Sequence, residues 1–182
     1  MKYLIISDVH GSKESINSAI NAFHKHQCDL IILLGDILYH GPRNPLPEGF
    51  DPAGVAIRLN EYKDKIICAC GNCDSEVDQM VLNFPIKAPY ALIVEDGVKI
   101  FATHGHIYNP DNLPDLDTID IFLYGHTHLY DLTLQNNLLL VNPGSISLPK
   151  ENRPKTYAIY ENKQVSIYKL QDDTILLTKI ID

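Results

Sequence analysis

Two short and almost entirely apolar segments near the start of the chain constrain its fold most strongly. Residues 2–7 read KYLIIS and residues 28–35 read CDLIILLG. Between them, apolar residues recur at helical spacing in a polar stretch from Ser12 to His26. These residues are Ile16, Ala19, Ile20 and Phe23. Because strands without a polar face are usually parallel and covered on both sides, the sequence predicts a β-α-β unit within an α/β fold.

A second helix and a third strand are predicted in the next segment. The turn-rich stretch HGPRNPLPEGFDP is unsuited to a compact core, so it is expected at the surface, and a helix is expected from Pro52 to Tyr62. The segment KIICAC at residues 65–70 is short, rich in β-formers and followed by a glycine. This composition predicts a buried strand that includes Cys68 and Cys70.

Farther along the chain the pattern changes to strands joined by tight turns. Asp96-Gly97 and Asn136-Asn137 each divide an apolar segment in two, which is typical of antiparallel hairpins. Further β-rich segments follow to the end of the chain. Since no repeat or linker interrupts the pattern, we predict a single domain over residues 1–182, with two packed β-sheets forming a β-sandwich flanked by helices.

Charge and composition narrow the class of function. The formal net charge of −8, from 15 Lys and Arg against 23 Asp and Glu, opposes a broad surface for nucleic acid, so no bulk nucleic acid partner is expected. No apolar run approaches the roughly 20 residues that cross a bilayer. We therefore expect no membrane partner and a cytoplasmic location, in which the four cysteines are free thiols.

Five predicted strands are followed directly by glycine, aspartate, histidine or asparagine. Each fragment alone, such as Asp-x-His, is commonplace, but strand ends meet at one edge of a sheet, where open α/β sheets bind ligands. The side chains that would meet there are Asp8, His10, Asp36, Asn72, His104, His126 and His128. All are suited to divalent cations, and seven donors exceed what one tetrahedral site uses. The combination therefore favours two adjacent metal ions.

The same fragments resemble the five signature blocks of the calcineurin-like metallophosphoesterases. Longer segments, among them GNCDSEVDQM, YGHTHL and NPGSIS, are similar to the small bacterial YfcE-like phosphodiesterases across essentially the whole chain. The resemblance implies one metal held by Asp8, His10, Asp36 and His128. It implies a second metal held by Asp36, Asn72, His104 and His126. It also implies that the cofactors are two divalent ions, expected to be Mn²⁺, with Fe, Zn or Ni as alternatives.

Two such cations can lower the pKa of a shared water molecule, so that it is bound as hydroxide. They can also bind phosphoryl oxygens so that the hydroxide attacks in line with the leaving group. We therefore expect a dinuclear-metal-dependent phosphodiesterase whose partner is a small-molecule phosphodiester. The alternatives are a phosphomonoesterase or nuclease on the same site, or a non-catalytic scaffold of the same fold. Apolar loop residues such as Leu46 and Phe50 would also permit a homo-oligomer.

The third of the five blocks, GNCD at residues 71–74, departs from the pattern of the superfamily at Cys73. The resemblance implies a histidine at this position, which would assist departure of the leaving oxygen. A thiol with a pKa near 8.5 is a weak hydrogen-bond donor. We therefore expect slow cleavage that favours aryl leaving groups. Asp74 is expected to orient the site as a hydrogen-bond acceptor, which makes Cys73 and Asp74 the candidate catalytic-site residues. A zinc site built from Cys68, Cys70 and Cys73 is the disfavoured alternative.

The loop after Asp36 is expected to lie at the edge of the substrate pocket. Arg43 in this loop could bind a phosphate oxygen through two parallel hydrogen bonds, whereas a solvated surface turn is the alternative. A proton for the leaving group could come from His40, His106 or a metal-bound water. The candidate substrate-binding residues are Tyr39, His40, Arg43, Asn44 and His106.

Overall fold

A computed structural model describes residues 1–116 and 118–181 of the chain. Its first half contains β1 (Lys2–Ile6), α1 (Lys13–Lys25), β2 (Leu30–Leu33), α2 (Pro52–Asn60), a 3₁₀ turn (Lys63–Lys65), β3 (Ile66–Cys68) and α3 (Glu76–Val81). Its second half contains β4 (Tyr90–Glu95), β5 (Val98–Thr103), β6 (Ile121–Leu123), β7 (Asp131–Gln135), β8 (Leu138–Asn142), β9 (Thr156–Glu161), β10 (Gln164–Lys169) and β11 (Ile175–Ile180). Among the described residues, no helix is both long and apolar enough to span a bilayer.

The first sheet has the strand order β11-β10-β9-β1-β2-β3 and contains the predicted β-α-β unit. β1 pairs in parallel with β2, with Leu4 opposite Ile31, and β2 pairs in parallel with β3. The helix between β1 and β2 begins after Ser12, whose hydroxyl accepts a hydrogen bond from the backbone N–H of Ser15. The apolar stripe of α1 is buried as its spacing predicts, so this unit of the fold is confirmed.

The second sheet has the order β4-β5-β6-β8-β7 and contains the two predicted hairpins. Asp96 and Gly97 have φ of 48° and 82°, and Asn136 and Asn137 have φ of 49° and 66°. Positive φ at both central residues is the requirement of the tight turn that joins twisted antiparallel strands. The sheet as a whole is mixed, because β6 pairs in parallel with both β5 and β8.

The two sheets pack face to face, which confirms the predicted sandwich. Tyr3, Ile5 and Ile32 of the first sheet lie against residues of the second sheet such as Ile100 and Leu123, and all five are essentially buried. The opposite face of the first sheet is covered by α1 and α2 through a second apolar cluster. Two separate cores therefore hold the first sheet as the middle layer.

Two details differ from the sequence prediction. β3 ends at Cys68, so Cys70 lies beyond the strand and is half-buried rather than part of the strand core. A short helix, α3, was not predicted. It begins after Ser75, whose side chain accepts from the backbone N–H of Asp78, while the Asp78 carboxylate accepts from the backbone N–H of Ser75. This reciprocal pair is a capping box, and it was readable as Ser-x-x-Asp.

Candidate metal centre

The seven side chains that follow the strand ends form one continuous cluster. His10 Nε2 lies 3.7 Å from an oxygen of Asp8 and 3.7 Å from one of Asp36. His128 Nε2 lies 3.3 Å from Asp8 Oδ1 and 3.2 Å from His10 Nε2. On the other side of Asp36, its Oδ2 lies 3.5 Å from His104 Nε2.

The two remaining candidates join the cluster through His104. His104 Nε2 lies 3.1 Å from Asn72 Oδ1 and 3.2 Å from His126 Nδ1. Asp36 thus stands between one group, Asp8, His10 and His128, and a second group, Asn72, His104 and His126. The structure therefore brings together all seven residues, which come from five loops.

Three of the histidine rings are oriented by backbone carbonyl groups. His10 Nδ1 donates to the carbonyl of Tyr39 over 2.9 Å, His104 Nδ1 to that of Leu34 over 2.6 Å, and His128 Nδ1 to that of Leu148. A carbonyl oxygen can only accept, so each Nδ1 carries a hydrogen. In the neutral ring, Nε2 then presents a lone pair to the cluster, as is usual for histidines that bind metal.

The backbone is strained at five of the seven positions. Positive φ values of 49° to 67° occur at Asp8, His10, Asp36, His126 and His128. Side chains with a Cβ avoid this region, and a non-glycine residue held there costs about 1–3 kcal/mol. Such strain is concentrated at functional sites, where the surrounding structure enforces it.

A separate set of hydrogen bonds fixes the loop of Asp8. Its Oδ2 accepts from Ser7 Oγ over 2.7 Å and from the backbone N–H of His126 over 3.1 Å. Its backbone carbonyl accepts from the hydroxyls of Ser145 and Ser147, each over 2.8 Å. The other carboxylate oxygen, Oδ1, is buried and faces the Nε2 atoms of His10 and His128, but it forms no hydrogen bond of normal geometry with any described residue. A buried carboxylate oxygen in this state is costly unless a cation meets it, so the cluster fits a bound metal ion.

Asp74 holds two of the loops together. Its carboxylate accepts from the backbone N–H groups of Asp36, Ile37 and Gly71, over 3.0, 2.8 and 2.8 Å. Both oxygens are thereby used, and the side chain is buried. Burial raises the pKa of Asp74, and the hydrogen bonds that it accepts oppose this increase. Its position supports the expected orienting role.

The electrostatics of the cluster are those of closely paired opposite charges. Burial disfavours a charged Asp8, but contacts with His10 and His128 outweigh it and hold the pKa of Asp8 well below its usual range. Burial likewise opposes charge on His104, yet its contact with Asp36 and the charge of Asp8 raise the pKa of His104 to about 9. Without metal, protons therefore occupy this cluster, and a metal ion must displace them.

Comparison with known proteins assigns the chain to a family. Residues 1–164 match the family model of the calcineurin-like phosphoesterase superfamily domain. The chain is 44% identical over 176 residues to phosphodiesterase YfcE of Escherichia coli K12, covering 97% of this chain and 96% of that protein. This chain belongs to the calcineurin-like phosphoesterase superfamily.

Solved structures share the architecture described above. The structure of the phosphoesterase Yfce from E. coli matches with a TM-score of 0.97 and 43% identity, over 100% of both chains. Vacuolar protein sorting 29 of Cryptosporidium parvum matches with a TM-score of 0.65 and 17% identity, over 98% of this chain and 96% of that chain. The second likeness shows the phosphoesterase fold alone.

A cavity of about 280 Å³ opens over the cluster of candidate ligands. Its floor includes Asp36, Asn72, His126 and His128, and its wall includes Cys73, Arg43, Asn44 and Lys150. Tyr39, His40 and His106 lie outside this lining. Tyr39 instead offers its carbonyl to His10, and the ring of His40 lies edge-on to Phe50. A larger cavity of about 590 Å³ lies elsewhere, between α1 and residues 149–155.

Cys73 lies in this cavity within reach of the candidate ligands. Its Sγ, His10 and Asp36 offer ligand atoms within 4.8 Å of one another. Burial, followed by the charge of Asp36, raises the pKa of the thiol to about 12. Without metal, the thiol is therefore neutral at ordinary pH. No group of three potential ligands in the described part of the chain contains more than one cysteine, which gives the zinc site of three thiolates no support.

Two residues beside the cluster, Lys150 and Asn142, were not predicted from the sequence to be part of the site. Lys150 lines the cavity, but a lysine in a polar loop carries no local signal. Asn142 donates from its amide to Gly125 O and to Thr127 Oγ1, both over 3.0 Å, and so fixes the loop of His126 and His128. Asn142 belongs to the segment NPGSIS, which also contributes the hydroxyls of Ser145 and Ser147 that bind the Asp8 carbonyl.

Proposed function

We propose that this chain is a phosphodiesterase that uses two divalent metal ions to hydrolyse small phosphodiesters. The observation that carries the proposal is the convergence of seven metal-compatible side chains in one cluster, with Asp36 between two groups of three and four of the seven lining one cavity. Membership of the phosphoesterase superfamily and the 44% identity to a named phosphodiesterase support the reaction class.

The first metal would be held by Asp8, His10, Asp36 and His128. The second would be held by Asp36, Asn72, His104 and His126. A donor set of imidazole, carboxylate and amide suits first-row transition metals, which agrees with Mn²⁺ as the proposed ion and leaves Fe, Zn and Ni as alternatives. When bound, the pair supplies a water nucleophile of lowered pKa and positive charge for the phosphoryl oxygens.

The chain's own residues would orient the substrate and limit the reaction. The cavity has room for a small diester, and the side-chain amide of Asn44 in its wall can donate hydrogen bonds to phosphate oxygens. Cys73 lines this cavity, and a thiol is a weaker hydrogen-bond donor than an imidazolium. Leaving groups that depart without a proton, such as phenolates, should therefore be favoured.

A series of methyl aryl phosphodiesters with phenols of rising pKa tests this account of Cys73. In the Mn²⁺-loaded protein, kcat should fall steeply as the phenol becomes a poorer leaving group. The Cys73→His variant should show a shallower fall, with at least about a tenfold gain on the poorest leaving group, because general-acid assistance contributes up to about 10²–10⁴-fold.

The matched control is Cys73→Ser, which removes the thiol without supplying an imidazolium and should keep the steep dependence. An equal slope in wild type and Cys73→His would show that this position does not assist the leaving group. The same assay with 4-nitrophenyl phosphate and with single-stranded DNA separates a diesterase from a phosphomonoesterase or nuclease. A protein with both sites filled that leaves bis(4-nitrophenyl) phosphate intact would be a scaffold instead.

A further inference from the structure

Two cations in the cavity wall have no acidic partner. Arg43 and Lys150 are exposed and line the same cavity. Within the described residues, neither lies within 4.0 Å of a carboxylate oxygen, whereas both other arginines and five of the other lysines do. The contrast is local, because Arg153 and Lys155, a few residues beyond Lys150, pair with Glu151 and Glu48.

The two cations come from loops that are fixed to the candidate metal centre. The backbone N–H of Lys150 donates to the carbonyl of His128 over 3.4 Å, so this lysine stands beside the histidine pair. Arg43 approaches from the other loop, in which Gly41 lies against Cys73.

The charge of the site exceeds what a simple diester needs. A phosphodiester carries a single negative charge, and two bound divalent ions would already outweigh the charges of Asp8 and Asp36. Arg43 and Lys150 add two positive charges in a chain whose formal net charge is −8. Both cations line the same cavity as four of the candidate ligands, so a group that contacts the cations would lie close to the scissile phosphate.

We propose that Arg43 and Lys150 select phosphodiesters whose non-leaving arm carries a second anionic group, a carboxylate or a phosphate. The planar guanidinium of Arg43 can hold such a group through two parallel hydrogen bonds, and the ammonium of Lys150 acts as a point charge beside it. This inference rests on the proposed phosphodiesterase function and adds to it the chemical class of the substrate.

Two chromogenic diesters of matched size test the inference. They are 3-carboxypropyl 4-nitrophenyl phosphate and 3-carbamoylpropyl 4-nitrophenyl phosphate, which differ in charge but not in length. The Mn²⁺-loaded protein should show a kcat/KM about tenfold higher for the carboxylate, the size expected of two exposed charge contacts. Raising the salt concentration should reduce this ratio, because exposed charges are screened.

Variants locate the preference in the chain. Lys150→Met and Arg43→Met should each lower the ratio, and the double variant should bring it close to one. Lys150→Arg should retain it, since the charge remains. Lys155→Met is the control, because this lysine belongs to the same segment, pairs with Glu48 and does not line the cavity.

The outcomes separate this inference from the proposed function. If neither diester releases nitrophenol, the phosphodiesterase proposal fails and this inference with it. If both are cleaved with equal kcat/KM, only the selection of a second anion is overturned. A ratio that persists in the double variant would overturn the assignment to Arg43 and Lys150.

Discussion

At the scale of single residues, Gly71 shows how closely the candidate ligand loops approach each other. A Cβ added at Gly71 would lie 2.2 Å from Asp36 Oδ1 and 2.3 Å from the backbone N of Asp36. These distances are far below contact distance, and the neighbouring atoms are backbone and a buried carboxylate. Glycine is therefore required here by the approach of the two loops.

We expect Gly71→Ala to displace Asp36 and to lower both Mn²⁺ affinity and activity. A displacement of about 1 Å at a reacting centre can reduce the rate about 10²-fold, so a loss of that order is the expected result. Isothermal titration with Mn²⁺ and the aryl diester assay would measure the two effects.

The control variant for this prediction is Gly97→Asn. Gly97 has φ of 82° with nothing within 4 Å of an added Cβ, and asparagine tolerates that conformation. Wild-type metal affinity in Gly71→Ala would show that the loops can separate without affecting the centre.

At the scale of elements, α3 extends the loop that carries Asn72, Cys73 and Asp74. The helix has only six residues and no buried side chain, so its capping box supplies much of its local stability. Nothing in the centre depends directly on Ser75. Loss of the Ser75 hydroxyl should therefore lower the stability of α3 more than it lowers the rate of the reaction.

We expect Ser75→Ala to destabilise α3 by about 1 kcal/mol, the usual value of an N-cap hydrogen bond. Amide hydrogen exchange at Asp78, whose N–H donates to Ser75 Oγ, should then become about fivefold faster, because local opening is favoured. Ser18→Ala is the control, since that exposed hydroxyl donates only to Glu14 O on the same helix. Unchanged exchange at Asp78 would mean that the helix does not depend on this cap.

The sequence predicts the elements whose signals are local. The β-α-β unit and the hairpin turns at Asp96-Gly97 and Asn136-Asn137 are specified by neighbouring residues. The parallel pairing of β6 with β5 and β8 is not, because it joins segments far apart in the chain. In the candidate site, strand ends indicated all seven clustered side chains, whereas the positive φ of five of them and the place of Lys150 depend on packing between loops.

At the scale of the whole molecule, the candidate centre joins the two sheets. Asp8, Asp36 and Asn72 follow strands of the first sheet, whereas His104 and His126 follow strands of the second. Bound metal would therefore link the layers at one rim of the sandwich. The single domain, the cytoplasmic location and the capacity to form a homo-oligomer stay predictions from the sequence.

We expect metal removal to lower the thermal stability of the protein. A ligand at 100 times its Kd stabilises the folded state by about 2.7 kcal/mol, which corresponds to roughly 5–10 °C in Tm for a chain of this size. Differential scanning calorimetry with chelator and with Mn²⁺ would measure the shift. Mg²⁺ should produce a smaller shift because the donor set is rich in imidazole, and equal Tm with and without Mn²⁺ would contradict a metal link between the sheets.

The most direct test of the central claim is anomalous diffraction at the manganese edge from crystals grown with Mn²⁺. The account predicts two peaks roughly 3.5–4 Å apart. One should lie against Asp8, His10 and His128, the other against Asn72, His104 and His126, with Asp36 touching both. A single peak, or two peaks that Asp36 does not contact, would contradict the dinuclear centre on which the proposed phosphodiesterase depends.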